Sequence, residues 1–212
     1  MDDKISQIRR SYLTGALDQS NVGSDPIQMF AMWMSAAVES GIDEPNGMAL
    51  ATVSPAGVPS VRIVLLRAFD ERGFVFYTNY ESDKGQDLSA NPRAAVTFWW
   101  QPLERQVRIT GTVERVSHEE SETYFRTRPR GHQLSAWVSR QSRAVKSREE
   151  LQALADEVEA LFPGDVPLPD FWGGYRLAPQ RIEFWQGREN RLHDRFVFEK
   201  TGTEWTVARL AP

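Results

Sequence analysis

Residues 48–80 read MALATVSPAGVPSVRIVLLRAFDERGFVFYTNY, and this stretch decides the fold. Three of its segments are rich in β-branched and aromatic residues, which favour strands: 48–54, 58–69 and 74–80. The short connections PAG and DERG separate these segments, and Pro, Gly and Asp in such places are typical of turns. The stretch therefore predicts successive strands joined by tight turns.

The same pattern continues towards the C-terminus. Further strands are predicted over residues 93–101, 106–116, 180–186, 195–199 and 204–210. About eight strands, mostly joined by hairpins, favour an antiparallel sheet that closes into a barrel. The expected fold class is mainly β with flanking helices.

The first helix has clear boundaries. Asp25 suits the N-cap, Pro26 suits the first helical position, and Gly41 suits the residue after the end. Helical spacing predicts a buried face made by Ile27, Phe30, Met34, Ala37 and Val38.

Three further helices are predicted: residues 82–90, 117–125 and 147–161. The second and third begin with Ser followed three residues later by Glu, which is a capping box. The loop 163–169 is too short and too apolar to link two domains, and the chain has no internal repeat. One domain is therefore expected.

Composition excludes several classes of protein. The 212 residues include no cysteine, which rules out disulfides, thiolate metal sites and a cysteine nucleophile. The net charge of −4 argues against non-specific nucleic-acid binding. Only three histidines are present, so no metal site is expected. The sequence shows no export signal and no apolar run long enough to span a bilayer, so a cytoplasmic protein that does not bind membranes is expected.

The charges are unevenly distributed. Residues 123–147 contain no acidic residue, and their basic residues are Arg126, Arg128, Arg130, Arg140, Arg143 and Lys146. A solvated basic face is the commoner explanation of such a tract. However, arginine suits phosphate groups, aromatic residues are interleaved with it, and Arg62 and Arg67 flank an apolar strand segment. We therefore expect a site for a small phosphorylated ligand.

A second candidate surface follows Trp185. Strand alternation over residues 191–195 would point Arg191, His193 and Arg195 to one side. Such a surface could bind an anion or a ring, or it could be an ion-pair cluster with Asp194 and Glu189.

Ten short motifs occur in a recognisable order: RIVLL (62–66), FYTN (76–79), NPR (91–93), LERQV (103–107), RPR (128–130), WVSRQS (137–142), FWGG (171–174), IEFWQG (182–187), RLHDRF (191–196) and RLAP (209–212). Together they resemble the pyridoxamine 5′-phosphate oxidase family, from about residue 8 to the last residue. The resemblance implies a split β-barrel homodimer with FMN at the subunit interface. The reaction implied is oxidation of pyridoxamine or pyridoxine 5′-phosphate to pyridoxal 5′-phosphate, with O₂ reduced to H₂O₂.

The resemblance also implies site residues. The implied FMN contacts are Arg62, Ile63, Val64, Leu65, Leu66, Arg67, Tyr77, Thr78, Lys84, Gln106, Gln141, Ser142, Trp185 and Arg195. The implied substrate contacts are Arg9, Arg10, Ser11, Tyr12, Arg67, Tyr124, Arg128, His132, Arg191, Leu192 and His193. Among these, Arg191 and His193 are the catalytic candidates. Residues 1–24 would close over the site, and residues 25–212 would form the FMN-binding domain.

Three positions depart from the family pattern. Arg67 stands where Lys is usual, and His132 stands where Ser is common. Asp83 stands where an Arg commonly precedes the FMN-binding Lys84, so weaker retention of FMN is expected.

Two other functions stay open: a flavin oxidase of this fold acting on a larger aromatic compound such as a phenazine precursor, and a non-catalytic flavin-binding protein. The RPR motif with Arg191 and His193 favours the vitamin B6 substrate. An RNA-binding barrel is disfavoured, because no nucleic-acid-binding motif occurs.

Overall fold

The computed structural model describes Ile5, Gln7 and residues 10–212. Its helices are α1 (Pro26–Glu39), α2 (Asp83–Ala90), α3 (His118–Thr127), α4 (Arg130–Val138) and α5 (Arg148–Leu161). Its strands are β1 (Gly47–Val53), β2 (Pro59–Leu65), β3 (Ala68–Asp70), β4 (Gly73–Asn79), β5 (Arg93–Trp100), β6 (Arg105–Arg115), β7 (Trp172–Gln186), β8 (Asp194–Thr201) and β9 (Glu204–Leu210). The strand order is β2-β1-β5-β6-β7-β4-β3, with β8 pairing β7 and β9. The mainly β architecture with flanking helices is confirmed.

The decisive stretch folds as predicted, with one break. Residues 58–69 form two strands instead of one, since β2 ends at Leu65 and β3 begins at Ala68. Arg67 lies between them and donates its backbone N–H to Val75 O of β4.

Helix α1 has the predicted cap but a different buried face. The Asp25 carboxylate accepts hydrogen bonds from the backbone N–H groups of Ile27 (2.8 Å) and Gln28 (3.2 Å). The buried residues are Pro26, Met29, Phe30, Trp33 and Ala37. Val38, predicted to be buried, is 58% exposed, because the buried stripe is centred on Phe30 and Trp33.

One helix and the first half of one strand were not predicted. Helix α4 lies in the basic tract, where polar residues and Gly131 hide any apolar periodicity. Strand β7 begins eight residues before the predicted strand, and Gly173, Gly174 and Pro179 disguise this first half. The glycines have a packing role, since a Cβ on Gly174 would lie 2.6 Å from Val116 Cγ2.

The chain forms two compact units, one comprising residues 1–49, 96–110 and 179–212 and the other residues 50–95 and 111–178. In the second unit β4 pairs antiparallel with β7, with Tyr77 opposite Gly174. Phe125 and Trp172 belong to its apolar core. Buried Arg176 binds Asp70 (2.9 Å) and Glu120 (2.8 Å), so β7 is fastened to the β3–β4 turn and to α3.

The first unit has an aromatic core. Trp33 of α1 packs edge-on against Phe184 of β7, with ring centroids 5.2 Å apart, and Phe184 packs against Phe198 of β8 at 5.8 Å. Strands β7, β8 and β9 pair antiparallel in sequence order, with Phe184 opposite Phe196. Within the part of the chain that the structure describes, no helix is both long and apolar enough to cross a membrane.

The β3–β4 turn makes a specific demand on Gly73. Its φ is +139°, and an added Cβ would lie 2.1 Å from Leu177 O of β7. Gly57 also has a positive φ, +80°, but an added Cβ there meets open space. We expect Gly73→Ala to destabilise the protein by about 3 kcal/mol or more and Gly57→Ala by about 1 kcal/mol. Urea unfolding of both variants measures this, and equal losses would contradict the clash.

Candidate functional site

A cavity of about 1030 Å³ lies in the second unit. Ligand pockets commonly have volumes of roughly 300–1,000 Å³, so this one has room for a large ligand or for two smaller ones. Many of the site residues expected from the sequence line it together: Arg62, Ile63, Val64, Leu65, Arg67, Tyr77, Thr78, Lys84, Tyr124, Arg128, His132, Gln141 and Ser142. Leu66 is buried and is not part of this lining.

The cavity is strongly cationic. Arg62, Arg67, Lys84 and Arg128 face a single carboxylate, Asp83, among its lining residues. Buried charges are normally paired, because an isolated ion loses the stabilisation that water provides. The surplus of positive charge therefore favours an anionic ligand.

Arg128 is the most exceptional of these cations. Its Nη1 is buried without a hydrogen-bond partner. Its Cζ lies 4.5 Å from the centroid of the Trp172 ring. Burial, together with repulsion from Arg67, lowers the pKa of the guanidinium. An unsatisfied buried N–H beside a cavity is a donor ready for an anion.

Lys84, on the first turn of α2, is also buried. Its Nζ donates hydrogen bonds to Gln141 Oε1 (2.6 Å), Thr78 Oγ1 (3.2 Å) and Ser82 Oγ (3.2 Å). These acceptors are all neutral. Burial, followed by repulsion from Arg62, lowers the pKa of Lys84 to about 8. The ammonium group thus lacks a full counter-charge.

The loop that carries Gln141 and Ser142 is fixed by its neighbours. Asn79 Nδ2 donates to Ser139 O at 3.3 Å, and the backbone N–H of Asp83 donates to Ser142 Oγ at 3.2 Å. Ser142 itself adopts a positive φ of 71°. These bonds hold the loop against the end of β4 and the start of α2.

Arg62 has its own anchor. Its Nη1 donates to Thr52 Oγ1 at 2.7 Å, and its Nη2 lies 4.0 Å from the buried carboxylate of Asp87 and also donates to Ser60 Oγ. Asp87, which sequence reasoning did not single out, therefore supplies a buried carboxylate beside this strand cation.

Aromatic rings form one wall of the cavity. Tyr77 stacks on Tyr124 with centroids 3.9 Å apart, and it stacks on Trp172 at 5.5 Å. Burial raises the pKa of Tyr77 to about 12, so its hydroxyl keeps its proton. Trp172 was quoted in a motif but not assigned to the site.

Most of the basic residues of the tract 123–147 lie away from the cavity. Arg126 pairs with Glu122 on the same helix at 2.6 Å. Arg130 donates to the carbonyl oxygens of Phe162 and Gly164. Of the tract's basic residues, Arg128 is the one that lines the cavity, while Arg143 lines a separate, shallower pocket. The commoner explanation, a solvated face, fits most of the tract.

A second group of expected site residues lies in the first unit. The rings of Trp185 and His193 have centroids 4.5 Å apart, and Tyr12 packs edge-on against both at 5.6 Å. The backbone N–H of Arg188 donates to His193 Nδ1 at 3.1 Å. Burial and the charge of Arg191 lower the pKa of His193. The neutral ring therefore carries its hydrogen on Nε2, where it can act as a donor.

Arg191 does not share a strand face with His193 and Arg195, so the predicted alternation was wrong. A 3₁₀ turn over Glu189–Arg191 precedes β8, and Arg191 has a positive φ of 62°. The Arg191 side chain and Leu192 are exposed. The turn breaks the period-two pattern on which the prediction relied.

Arg195 is held by a buried carboxylate that sequence reasoning missed. Its Nε and Nη2 donate to Glu183 Oε1 at 2.9 and 2.8 Å, and its Nη1 donates to Ala211 O at 2.8 Å. Arg181 and Arg108 also pair with Glu183, at 3.0 and 3.5 Å.

Four further residues were expected to contact a ligand. Gln106 is half-buried on β6, Arg10 and Ser11 are exposed, and Arg9 lies outside the described residues.

The fold and the cavity define a β-sheet protein with a cationic, aromatic-walled pocket for small molecules. Residues 34–162 match the family model described as pyridoxamine 5′-phosphate oxidase, and residues 172–212 match the pyridoxine 5′-phosphate oxidase C-terminal dimerisation region. The chain belongs to the pyridoxamine 5′-phosphate oxidase family.

Similar proteins agree with this assignment. The chain is 54% identical over 209 residues to a pyridoxine/pyridoxamine 5′-phosphate oxidase of Rubrobacter xylanophilus, covering 98% of this chain and 96% of the relative. It is 52% identical over 217 residues to one from Gloeothece citriformis, covering 100% of both chains.

Solved structures confirm the fold class. PhzG from Burkholderia lata, in complex with tetrahydrophenazine-1-carboxylic acid, matches with a TM-score of 0.87 and 31% identity, over 93% of this chain and 98% of that chain. A pyridoxamine 5′-phosphate oxidase-related, FMN-binding protein from Nostoc punctiforme has a TM-score of 0.72 at 16% identity, over 90% of this chain and 100% of that chain. The latter similarity concerns the fold alone.

The lowered pKa of Lys84 predicts a pH effect on stability. Between about pH 8 and the ordinary lysine value of 10.5, the unfolded chain binds more protons than the folded one, so stability rises with pH there. Lys84→Met removes the cost of burying the charge. We expect this substitution to raise the free energy of unfolding of the ligand-free protein by about 1–2 kcal/mol at pH 7. The variant should also lack the rise in stability between about pH 8 and pH 10.5.

Urea unfolding at pH 7 and pH 10 measures the effect, with Lys146→Met as the control because Lys146 is exposed. If Lys84→Met is less stable than the wild-type protein at pH 7, burial of the ammonium group does not lower stability, which contradicts the prediction.

Proposed function

We propose that this protein is an FMN-dependent oxidase that converts pyridoxamine 5′-phosphate and pyridoxine 5′-phosphate to pyridoxal 5′-phosphate, with reduction of O₂ to H₂O₂. The observation that carries the proposal is the cavity in which Arg128 Nη1 is buried without a partner beside three other cations. Family membership and relatives at 52–54% identity supply the reaction.

The residues present fit FMN. A phosphate monoester offers several strong acceptors and about two negative charges. Lys84 would supply opposing charge, and Arg62 would add to it, although Asp87 at 4.0 Å already offsets part of the Arg62 charge. Gln141 and Ser142, fixed on the start of α2, would add polar contacts. The exposed side chain of Ile63 and those of Val64 and Leu65 would provide apolar surface for the flavin ring.

A second set of residues fits the phosphate group of the substrate. Arg128 and Arg67 carry charge that is not neutralised within the cavity, and Tyr124 and His132 can donate hydrogen bonds. Arginine recognises phosphate through a planar fork of donors, so Arg67 can replace a lysine here. Anchoring of the phosphate would orient the ring that is to be oxidised.

FMN, when bound, would supply the two-electron redox chemistry that oxidation of the substrate by O₂ requires. The residues of the protein would bind the substrate, orient it and transfer protons. His193 would donate a hydrogen bond from Nε2 to the substrate, because Nδ1 is occupied by the Arg188 N–H. Arg191, exposed at a positive φ beside His193, would supply a cation to the same group. The tight Tyr12–Trp185–His193 packing would restrict access of water to that surface.

We further propose a homodimer with the flavin between subunits. Two observations support it: residues 172–212 match a dimerisation region, and β2 leaves Val61 and Ile63 exposed. Residues 1–24 would close over the site, and residues 25–212 would carry it.

A second candidate substrate is a larger aromatic compound such as a phenazine precursor. The structural similarity to PhzG favours it. The cationic surplus around Arg128 favours a phosphorylated substrate instead, because a carboxylated tricyclic ring carries less charge than a phosphate.

The direct test mixes purified protein, FMN and pyridoxine 5′-phosphate in air and measures pyridoxal 5′-phosphate and H₂O₂. We expect equal amounts of both products. Binding of FMN without either product would refute the oxidase but keep the flavin site, and failure to bind FMN would refute both.

Arg128 tests the substrate phosphate site, and Arg126 provides a matched control two residues away. We expect Arg128→Met to raise KM for pyridoxine 5′-phosphate by about 10- to 100-fold, since it removes a charge-assisted hydrogen bond. Arg126→Met loses only an exposed ion pair and should change KM by less than about twofold. Steady-state kinetics measure both, and similar effects would mean that Arg128 does not bind the substrate.

Asp83 tests the flavin phosphate site. Its carboxylate adds negative charge to the cavity next to Lys84, so Asp83→Asn should tighten FMN binding by about three- to tenfold. It should also weaken α2 slightly, because an acidic residue in the first turn stabilises a helix. Fluorescence titration of FMN measures the affinity. Looser FMN binding in Asp83→Asn would contradict the proposal that the Asp83 carboxylate repels the flavin phosphate.

A further inference from the structure

Glu104 is a buried carboxylate for which the proposed reaction has no role. It follows a 3₁₀ turn over Gln101–Leu103, has a positive φ of 54°, and is 2% exposed. We propose that Glu104 is a positioning residue that sets Tyr12 against His193, by holding residues 10–17 with its carboxylate and the loop 187–193 with its carbonyl oxygen. The inference rests on the proposed function, in which both segments contact the substrate.

The carboxylate holds the N-terminal side. Thr14 donates its backbone N–H to Glu104 Oε2 at 2.9 Å, and Arg10 Nη2 lies 3.4 Å from Oε1. Burial alone would raise the pKa of Glu104, but hydrogen bonds from Thr14 and Leu13 and the charge of Arg10 lower it below its ordinary value. The carboxylate is therefore ionised at neutral pH and engaged with this segment.

The backbone carbonyl holds the other side. Gly187 donates its N–H to Glu104 O at 2.8 Å, and Gln186 Nε2 donates to the same oxygen at 3.3 Å. These bonds fix the point at which the loop bearing Arg191, Leu192 and His193 leaves β7. A single residue thus binds both segments.

Tyr12 lies where the two segments meet. A Cβ on Gly187 would come within 2.8 Å of Tyr12 Cβ and Cγ, so the tyrosine packs directly on the loop backbone. Its ring contacts both Trp185 and His193. A shift of residues 10–14 would therefore change the packing against the proposed catalytic histidine.

A different carboxylate fastens the far end of the segment. Asp194 Oδ2 accepts the Leu17 N–H at 3.1 Å, and Arg188 Nη1 donates to Gly15 O at 3.0 Å. Loss of the Glu104 contacts would consequently release residues 10–14 while Leu17 stays bound. This separates the proposed role from a general contribution to folding.

The test uses Glu104→Gln and Glu104→Ala in the full chain with FMN, and Glu122→Gln on the exposed face of α3 as the control. The amide of Gln can still accept from Thr14, whereas Ala cannot. We expect KM for pyridoxine 5′-phosphate to rise about threefold in Glu104→Gln and about tenfold in Glu104→Ala, with kcat changed less and FMN affinity unchanged.

Tryptic cleavage after Arg10 gives a readout that does not depend on activity. Release of the segment should accelerate this cleavage about tenfold, while cleavage after exposed Arg148 stays constant. If Glu104→Ala does not fold, Thr14→Pro removes the same hydrogen bond from the exposed side and should give the same pattern.

Faster cleavage after Arg10 with unchanged KM would overturn the positioning role, and unchanged cleavage would show that Glu104 does not hold the segment. A parallel fall of kcat and FMN affinity would indicate a structural role only. If the wild-type protein oxidises no substrate, the proposed function fails, and the cleavage rates alone decide whether Glu104 is the attachment point.

Discussion

The guanidinium of Arg128 lies over the Trp172 ring with Nη1 buried and unbonded, and Lys84 is buried among neutral acceptors in the lining of the same cavity. Two cations without counter-charges cost stability, so the surrounding structure has to hold them in place. The stack of Tyr77, Tyr124 and Trp172 supports one, and the loop fixed on the start of α2 supports the other. The proposed function depends on this imbalance of charge.

Several other buried charges among the described residues are paired with ions of opposite sign. Arg176 is paired with Asp70 and Glu120, and Glu183 accepts three arginines in the other unit. The contrast separates arginines that fasten strands and helices from those available to a ligand. Arg195 is one of the arginines that fasten the structure, because Glu183 holds its guanidinium. Any contact between Arg195 and a flavin would therefore come from a guanidinium that is already paired.

Sequence reasoning predicted most strands, because β-branched residues and short turns alternate clearly in residues 48–80. It could not predict α4, whose polar sequence lacks apolar periodicity, or the first half of β7, where glycines serve the packing of Val116 and Tyr77. The family resemblance implied Arg128, Lys84 and Gln141 as site residues, and all three line the same cavity. Asp87, Glu183 and Glu104 were not assigned, since a buried carboxylate that orients a neighbour leaves no local pattern. The sequence of residues 123–147 did not show which of its basic side chains lines the cavity, because the density of charge along a sequence does not show which side chains are buried.

Proton uptake on binding FMN tests the central claim most directly. Calorimetry at pH 8.5 in two buffers of different ionisation enthalpy gives the number of protons taken up. A phosphate that pairs with Lys84 would raise its pKa from about 8, so about 0.7 proton should be absorbed per FMN, since the flavin phosphate is already fully ionised at this pH. FMN binding with no proton uptake, or with proton release, would contradict the claim that a bound phosphate supplies the counter-charge that Lys84 lacks.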